Sequence, residues 1–523
     1  MPKSNVDILK ILQTKLSNTS AQFLPGQLGL AAIKVDPGVH REVFKTLVEA
    51  DEYTAVSAIT GLDLGANLGV FYHVRTSNAF LTIEAEVPKD KPKIQTVSDI
   101  APSASLHELE VSDLFGVTFE GNPRSGHLVL PETWPEGIFP LRKDVNPNEV
   151  KMNPPLPEEK SDDGKLVRIV IGPQHPALLE PEKFAVLVEG ETVKAVQPRI
   201  GYVHRGIEKA SESRSYIQDI FLVERICGIC NSCHADTFVG AVEKILKAEV
   251  PPRGKYLRTI ILEVNRLHSH LLTLGHAGLE IGYETLFQYF WRDREPIMDI
   301  MEMLTGNRVI SSAMTVGGVR RDLKDTDIPK IRTVLNDLRK RLPFYTQIYR
   351  DEPSIRARMQ NVGVMKREDA LKLGVVGPVA RGSGVDIDVR KDEPYEAYGE
   401  IPFEVITKDA GDTWARMNVR MDEVEESIKI IEYALDHLPS GAYRVRVPRV
   451  VPAGEAVHRV EAPRGELFYY VRSNGTAQPE RVKVRTPTFA NLPAFLTTAV
   501  GEPLADVPPN FVSLDPCFSC TDR

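Results

Sequence analysis

The chain has 523 residues and a mass of 58.3 kDa, enough for two or three domains with substantial cores. Hydrophobic residues make up 42% and charged residues 26%, ordinary for a soluble globular protein. A formal net charge of -8 argues against general nucleic-acid binding, and no run approaches the roughly 18–20 apolar residues that span a bilayer.

The opening MPKSNVDILKILQTKL lacks the continuous apolar core and small-residue cleavage site of a secretory signal. Its Val6, Leu9, Leu12 and Leu16 instead predict an amphipathic helix. A second helix is expected over 38–50, then strands over 70–75 and 80–87 joined by a turn at Thr76, Ser77 and Asn78. Residues 1–143 thus read as a small α/β domain. Residues 144–164, rich in Pro, Asn and acids and without apolar period, read as a linker. KLVRIVIG and KFAVLVEGETVKAV predict paired strands, with Glu191 in a turn. From about 236 to 350 helical periodicity dominates, as in Phe238, Val242, Ile245 and Leu246. The stretch 400–523 is richer in Pro and Gly and looks mixed, with a helix at about 420–437. The expectation is an α+β multidomain chain in which residues 165–523 form a larger, mainly helical, metal-binding domain.

Four of the five cysteines form two CxxC pairs separated by more than half of the chain. Cys227 and Cys230 lie in ERICGICNSCH, and Cys517 and Cys520 in DPCFSCTDR. Each CxxC places two thiolates within reach of one metal, and two pairs can close a four-sulfur site. The spacing suits a reducing compartment better than a disulfide scaffold. Spacing alone leaves a structural zinc, a redox metal and unrelated core cysteines all open. Cys227, Cys230 and Cys233 also spell CxxCxxC, part of an iron–sulfur ligand run, but no fourth cysteine followed by proline lies nearby.

The flanking residues narrow this. Arg225-Ile226-Cys227-Gly228-Ile229-Cys230 with His234 resembles the first cysteine motif of nickel–iron hydrogenase large subunits. Asp515-Pro516-Cys517-Phe518-Ser519-Cys520 resembles their second, which in that family also lies at the C-terminus. Arg205-Gly206-Ile207-Glu208 matches the family's RGxE segment, and Ala462-Pro463-Arg464-Gly465 the segment that sets an arginine over the metals. A second resemblance covers most of the remainder. GPQHPALLEPEKF, HSHLLTLGHAGLEIGYETLF, RDREPIMDIMEMLTG, RGSGVDIDVRKDEPYEAY and GDTWARMNVRMDEVEESIKII look like the 49-kDa quinone-site subunit of respiratory complex I. HELEVSDLFGVTFEGNPRSGHLVLPETW resembles the signature of its 30-kDa subunit. The fused arrangement resembles the large subunit of energy-converting, membrane-associated hydrogenases of the formate hydrogenlyase type. The complex I subunit lacks the four cysteines. Counting back from Glu208, the hydrogenase glutamate falls on Glu180, where a glutamate stands.

What the resemblance implies is specific. Cys227 and Cys517 would be terminal nickel ligands, while Cys230 and Cys520 bridge nickel to an iron carrying carbonyl and cyanide. Soft thiolates suit such low-valent metals. Glu180 would relay protons to and from a terminal thiolate, and Arg464 would stabilise polarised H2. His234 would tune a bridging sulfur. Pro487 and Thr488, in RTPTFAN, align with the segment that hydrogen-bonds an iron cyanide. Cys233 is expected to be a small core residue, and His268, His270 and His276 packing or surface residues. Many family members end in a histidine that helps bind magnesium or iron beside the RGxE glutamate. Here Thr521-Asp522-Arg523 follows instead, and an ion pair of Arg523 with Glu208 is expected. Such a tail also suggests the product of the family's C-terminal proteolysis. By the same resemblance, electrons would pass through a small iron–sulfur subunit of complex I type and a further ferredoxin-like iron–sulfur subunit. Integral membrane subunits would hold the assembly on the cytoplasmic side of the membrane. A complex I-like quinone or electron-transfer subunit without nickel is the alternative reading.

Overall fold

A computed structural model describes residues 8–17, 19–27, 30–154, 166–175 and 178–523, and shows the mixed α+β architecture. The first helix spans Ile8–Lys15; Val6 lies outside the described residues. The N-terminal unit is built on a five-stranded sheet in the spatial order Gln22–Gln27, Leu30–Lys34, Phe80–Pro88, Asn67–Arg75, Ala55–Asp63. Neighbours run antiparallel except Leu30–Lys34 beside Phe80–Pro88.

Strand alternation divides the sheet between two cores. Leu68, Val70, Tyr72 and Val74 pack with Phe44 and Leu47 of the helix His40–Ala50. On the opposite face, Ala58, Leu62 and Phe71 pack against Val457, Phe468 and Tyr470 of the second unit. The sheet is therefore an interface as well as a core. This explains why Asn67–Arg75 and Ala55–Asp63 are buried almost end to end.

His73 sits within this sheet, its ring nitrogens on Thr60 Oγ1 at 2.9 Å and Thr82 Oγ1 at 3.0 Å. Burial pushes its pKa from 6.5 down to about 3, with the Lys483 charge adding to the effect. Between these values the unfolded chain binds a proton that the folded chain refuses, so stability falls as pH falls. The slope from this one group is at most about 1.4 kcal/mol per pH unit. Urea unfolding at pH 7 and pH 5 checks it: His73→Gln is expected to lose less stability over that interval than the parent. An equal loss in both would contradict the assignment.

The second unit combines long helices with two three-stranded sheets. Val167–Ile171, Lys183–Glu189 and Thr192–Arg199 form the first, with Glu191 in the tight turn between the latter two. Helices Asn231–Leu246, Pro252–Glu280, Glu284–Thr305 and Thr413–Asp436 make the main core. The last begins earlier than the periodicity suggests because the Asp412 carboxylate accepts from Ala415 N at 2.7 Å and caps it. Every residue from Tyr256 to Gly278 is buried. Its charged members are therefore paired: Arg258 with Glu243 at 2.6 Å, Glu263 with Arg390 at 3.0 Å, His270 with Glu423 at 2.8 Å.

The second sheet, Gly454–Ala462, Gly465–Ser473 and Pro479–Arg485, joins this core to the N-terminal unit. Arg481 Nε donates to Gly61 O at 3.2 Å and Arg485 Nε to Ser57 O at 2.6 Å. Part of the stretch expected to be a linker packs back on the N-terminal unit. Asn153 N donates to Thr133 O at 2.7 Å, and Val150 lies against that unit's core. Residues 155–165 lie outside the described residues. Among the described residues, no helix is long and apolar enough to cross a membrane.

Candidate metal centre

The fold brings the C-terminal tail to the middle of the chain. Cys227 follows the helix Tyr216–Glu224, and Cys230 caps the helix Asn231–Leu246. Cys517 caps the short helix Phe518–Asp522, which contains Cys520. The pairs meet crosswise: Cys227 Sγ lies 3.4 Å from Cys517 Sγ, and Cys230 Sγ 3.3 Å from Cys520 Sγ. All four are buried free thiols. Arg205 ties the two cysteine segments together. Its guanidinium donates to Arg225 O at 2.8 Å and Ile226 O at 2.9 Å on one segment, and to Ser519 O at 2.8 Å on the other. Helix Pro252–Glu280 supports the first cysteine loop through Asn265 Nδ2 and His268 Nε2, both on Ile229 O.

The four thiols share their charge unevenly. Hydrogen bonds from Cys230, Cys517 and Cys520 hold the Cys227 thiol well below its ordinary pKa. The same bond to Cys227 pushes Cys230 and Cys517 up, while burial does most to raise Cys520. Such a set binds a soft cation in exchange for its remaining protons. Cys227, Cys517 and Cys520 could together hold an ion, as could Cys230, His234 and Cys520. Cys520 belongs to both groupings, and soft sulfur donors with an adjacent imidazole fit nickel and iron. Cys233 stands apart, buried against Asn265 Oδ1.

Glu180 is half-buried at the rim of this cluster. Its Oε2 accepts from Ser519 N at 2.7 Å, Ser519 Oγ donates to Oε1, and the Cys517 thiol faces Oε1 at 3.9 Å. The loop carrying it is shaped at Gly172, whose φ is +97°. A Cβ there would lie 1.7 Å from Glu182 O. Gly172→Ala is therefore expected to displace the loop and cut turnover while leaving the four thiols clustered. Thiol-reactive labelling and an activity assay on the same sample check this, and unchanged turnover would contradict it.

Arg464 occupies the tip between strands Gly454–Ala462 and Gly465–Ser473. Its Nε donates to Asp515 O and its Nη2 to Asp515 Oδ1, both at 2.8 Å, and Nη1 reaches Ser269 Oγ at 3.4 Å. Burial opposes the charge, but Asp515 and the sulfurs of Cys517, Cys227 and Cys230 outweigh it. The glycines at 377 and 465 let this tip seat closely: a Cβ on Gly377 would lie 2.4 Å from Arg464 O. His234 Nε2 lies 3.5 Å from Cys520 Sγ, and its Nδ1 is 2.7 Å from Tyr469 OH. Burial lowers its pKa to about 4, with Cys227 opposing and Arg205 adding. The neutral imidazole thus links Tyr469 OH to the Cys520 sulfur, one ring nitrogen donating and the other accepting. Thr488 Oγ1 accepts from Cys517 N at 3.0 Å, and Pro487 opens the helix Pro487–Thr498. His268, His270 and His276 are all buried.

Glu208 lies behind the cluster, fully engaged. It accepts from Arg481 at 2.7 Å, Arg523 Nε at 3.0 Å and Val484 N at 3.1 Å, with Lys483 Nζ at 3.5 Å. Burial works against ionisation; Lys483 and Arg481 overcome it and keep the carboxyl below its usual range. Three cations surround one carboxylate, so the position does not suit magnesium. Arg205, Asn265, Ser519 and Tyr469 carry no role that the sequence alone assigns. Each acts on a backbone atom or on another side chain that itself faces the thiols, and no motif spacing announces that.

Three family profiles match. The 49-kDa subunit of the respiratory-chain NADH dehydrogenase matches residues 280–451 and 448–523, its 30-kDa subunit residues 33–151, and nickel-dependent hydrogenase residues 205–277. The chain is 40% identical over 373 residues to the alpha subunit of the membrane-bound hydrogenase of Pyrococcus furiosus, covering 68% of this chain and 87% of that one. It is 35% identical over 470 residues to formate hydrogenlyase subunit 5 of Escherichia coli, covering 88% and 83%. A chain in the structure of an archaeal membrane-bound sulfane sulfur reductase, a respiratory membrane complex, superposes with a TM-score of 0.67 at 35% identity. That match covers 70% of this chain and 100% of the other.

Proposed function

The chain belongs to the family that joins the complex I 49-kDa subunit to the nickel-dependent hydrogenases, in the form fused to a 30-kDa-type domain, and on that premise we propose that it is the catalytic subunit of a membrane-associated nickel–iron hydrogenase. One observation carries the proposal. Four buried thiols converge in two contacting pairs, with the Glu180 carboxylate facing Cys517 and the buried Arg464 guanidinium within electrostatic reach of Cys517, Cys227 and Cys230.

Bound there, a nickel–iron centre with carbonyl and cyanide on iron would supply the soft, low-valent site at which H2 is formed or split. Cys227, Cys230, Cys517 and Cys520 would hold the centre, with Cys227 and Cys517 on the nickel. The Cys517 thiol faces Glu180 Oε1 at 3.9 Å, a gap that a small side-chain shift would close to proton-transfer distance. Ser519 N and Oγ keep that carboxylate aimed. Arg464, fixed by Asp515, presents a permanent positive charge where electron density accumulates. His234 lies against the Cys520 sulfur and Thr488 fixes the backbone of Cys517.

One H2 takes two protons and two electrons. The chain's residues provide the proton route, and a partner iron–sulfur subunit of complex I type would deliver the electrons. A ferredoxin-like subunit would lie further out, with formate, carbon monoxide or ferredoxin as ultimate donor. Membrane subunits would anchor the assembly at the cytoplasmic face and couple it to ion translocation. Metal analysis of the purified complex with an H2 assay tests this reading. Stoichiometric nickel and iron with H2 formation from a reduced dye are expected. Zinc alone, or no metal and quinone-linked electron transfer instead, would overturn it.

A further inference from the structure

The helix Ser105–Phe115 of the N-terminal unit carries three buried acids, and they divide their work. Glu108 accepts from Val97 N and Asn122 Nδ2, both at 2.9 Å. Asp113 Oδ2 accepts from Leu128 N, Val129 N and Leu130 N at 3.1, 2.8 and 2.9 Å. These two bind loops of their own unit. Glu110 does not: it crosses to the other unit, pairing with Arg523 Nη2 and, at 2.6 Å, with Lys483 Nζ. Glu110, Lys483 and Arg523 are at most 2% exposed. Without Glu110, three buried cations would share Glu208 alone, an arrangement that costs far more than it returns.

The consequence reaches the metal centre through the last turn of the chain. Helix Phe518–Asp522 has five residues, too few to be stable by itself. It carries Cys520 and is capped by Cys517. Arg523 closes it, with its N donating to Ser519 O at 3.2 Å and Nη1 to Thr521 O at 2.5 Å. We propose that Glu110 is a positioning residue of the metal centre: from the fused N-terminal unit it anchors Arg523, and through it fixes the turn that presents Cys517 and Cys520. The functional part rests on the reading of the four thiols as the metal-binding set. The anchoring of the tail does not. The N-terminal unit thereby closes the site from behind as well as covering the second unit.

Hydrogen exchange on the purified complex, comparing Glu110→Gln with the parent, tests this directly. Amides of residues 514–523 are expected to exchange about tenfold faster or more, with strands Asn67–Arg75 and Phe80–Pro88 unchanged. Nickel release to a chelator should quicken in parallel. Glu110→Asp, which withdraws the carboxylate by one methylene, should give the same pattern at smaller amplitude and serves if the glutamine variant does not fold. Arg367→Ala, which removes a distant contact between the units to Glu52, is the control and should leave the tail protected. Unchanged tail exchange in Glu110→Gln would overturn the proposal. So would a rise shared equally by the sheet and reproduced by Arg367→Ala, which would make Glu110 a general docking contact. Faster tail exchange in a protein that holds zinc rather than nickel would keep the anchoring role and remove the hydrogenase reading.

Discussion

Replacing Glu180 by glutamine is expected to lower kcat for H2 formation by roughly 10²–10⁴-fold, the usual range for a lost proton-transfer group, with nickel and iron contents unchanged. The reason is geometric. Glutamine is nearly isosteric and its carbonyl can still accept from Ser519 N, so the loop has no cause to move. What it cannot do is take up and release a proton opposite the Cys517 sulfur. Glu180→Asp should recover part of the rate, since the carboxylate is kept but drawn back by one methylene. A dye-linked H2 assay with metal analysis of the same samples reads both quantities. Full activity in Glu180→Gln would send the proton route elsewhere. Loss of metal together with activity would make Glu180 a structural prop of the tail.

The second large effect is the loss of the centre itself. Cys517→Ser is expected to bring nickel to background and H2 formation with it. A serine hydroxyl is harder and far less acidic than a thiol, and it removes one of the two sulfurs proposed to hold nickel. Cys517 lies in contact with Cys227 at 3.4 Å, so its loss also leaves Cys227 without its sulfur neighbour from the other cysteine segment. Cys233→Ser is the matched control. It lies three residues beyond Cys230, donates to Asn265 Oδ1 and faces none of the other sulfurs, so metal content should survive. Nickel retained in Cys517→Ser at the parental level would contradict the ligand assignment.

The parts of the site legible in the sequence are those whose chemistry depends on residue type at fixed spacing. The two CxxC pairs form such a pattern, whereas the arginine in APRG and the glutamate counted back from RGxE are picked out only by the resemblance to hydrogenase large subunits. The fold brings all of them together. The residues around them are harder to see. Arg205 is exposed, and its role appears only when residues 225–226 and 519 lie side by side. Tyr469 reads as a strand tyrosine until His234 is placed against it. From the sequence, the sheet 454–485 reads only as mixed structure. Its strands carry buried charges, Arg459, Glu461, Arg481 and Lys483, that mask the apolar alternation, and each is paired with a residue distant in sequence or across a strand. The expected pair of Arg523 with Glu208 is present at 3.0 Å, but Glu110 joins it from the other unit, which no local pattern foretells. Nothing in a linear pattern distinguishes it from Glu108, two residues away.

Infrared spectroscopy of the matured complex in the carbonyl and cyanide stretching region tests most directly whether the four thiols hold nickel and an iron bearing diatomic ligands, because no zinc site and no quinone site absorbs there. Carbonyl and cyanide bands are expected, lost in Cys517→Ser and kept in Cys233→Ser. A fully assembled complex, carrying its iron–sulfur partner and showing no band in that region, would contradict the assignment.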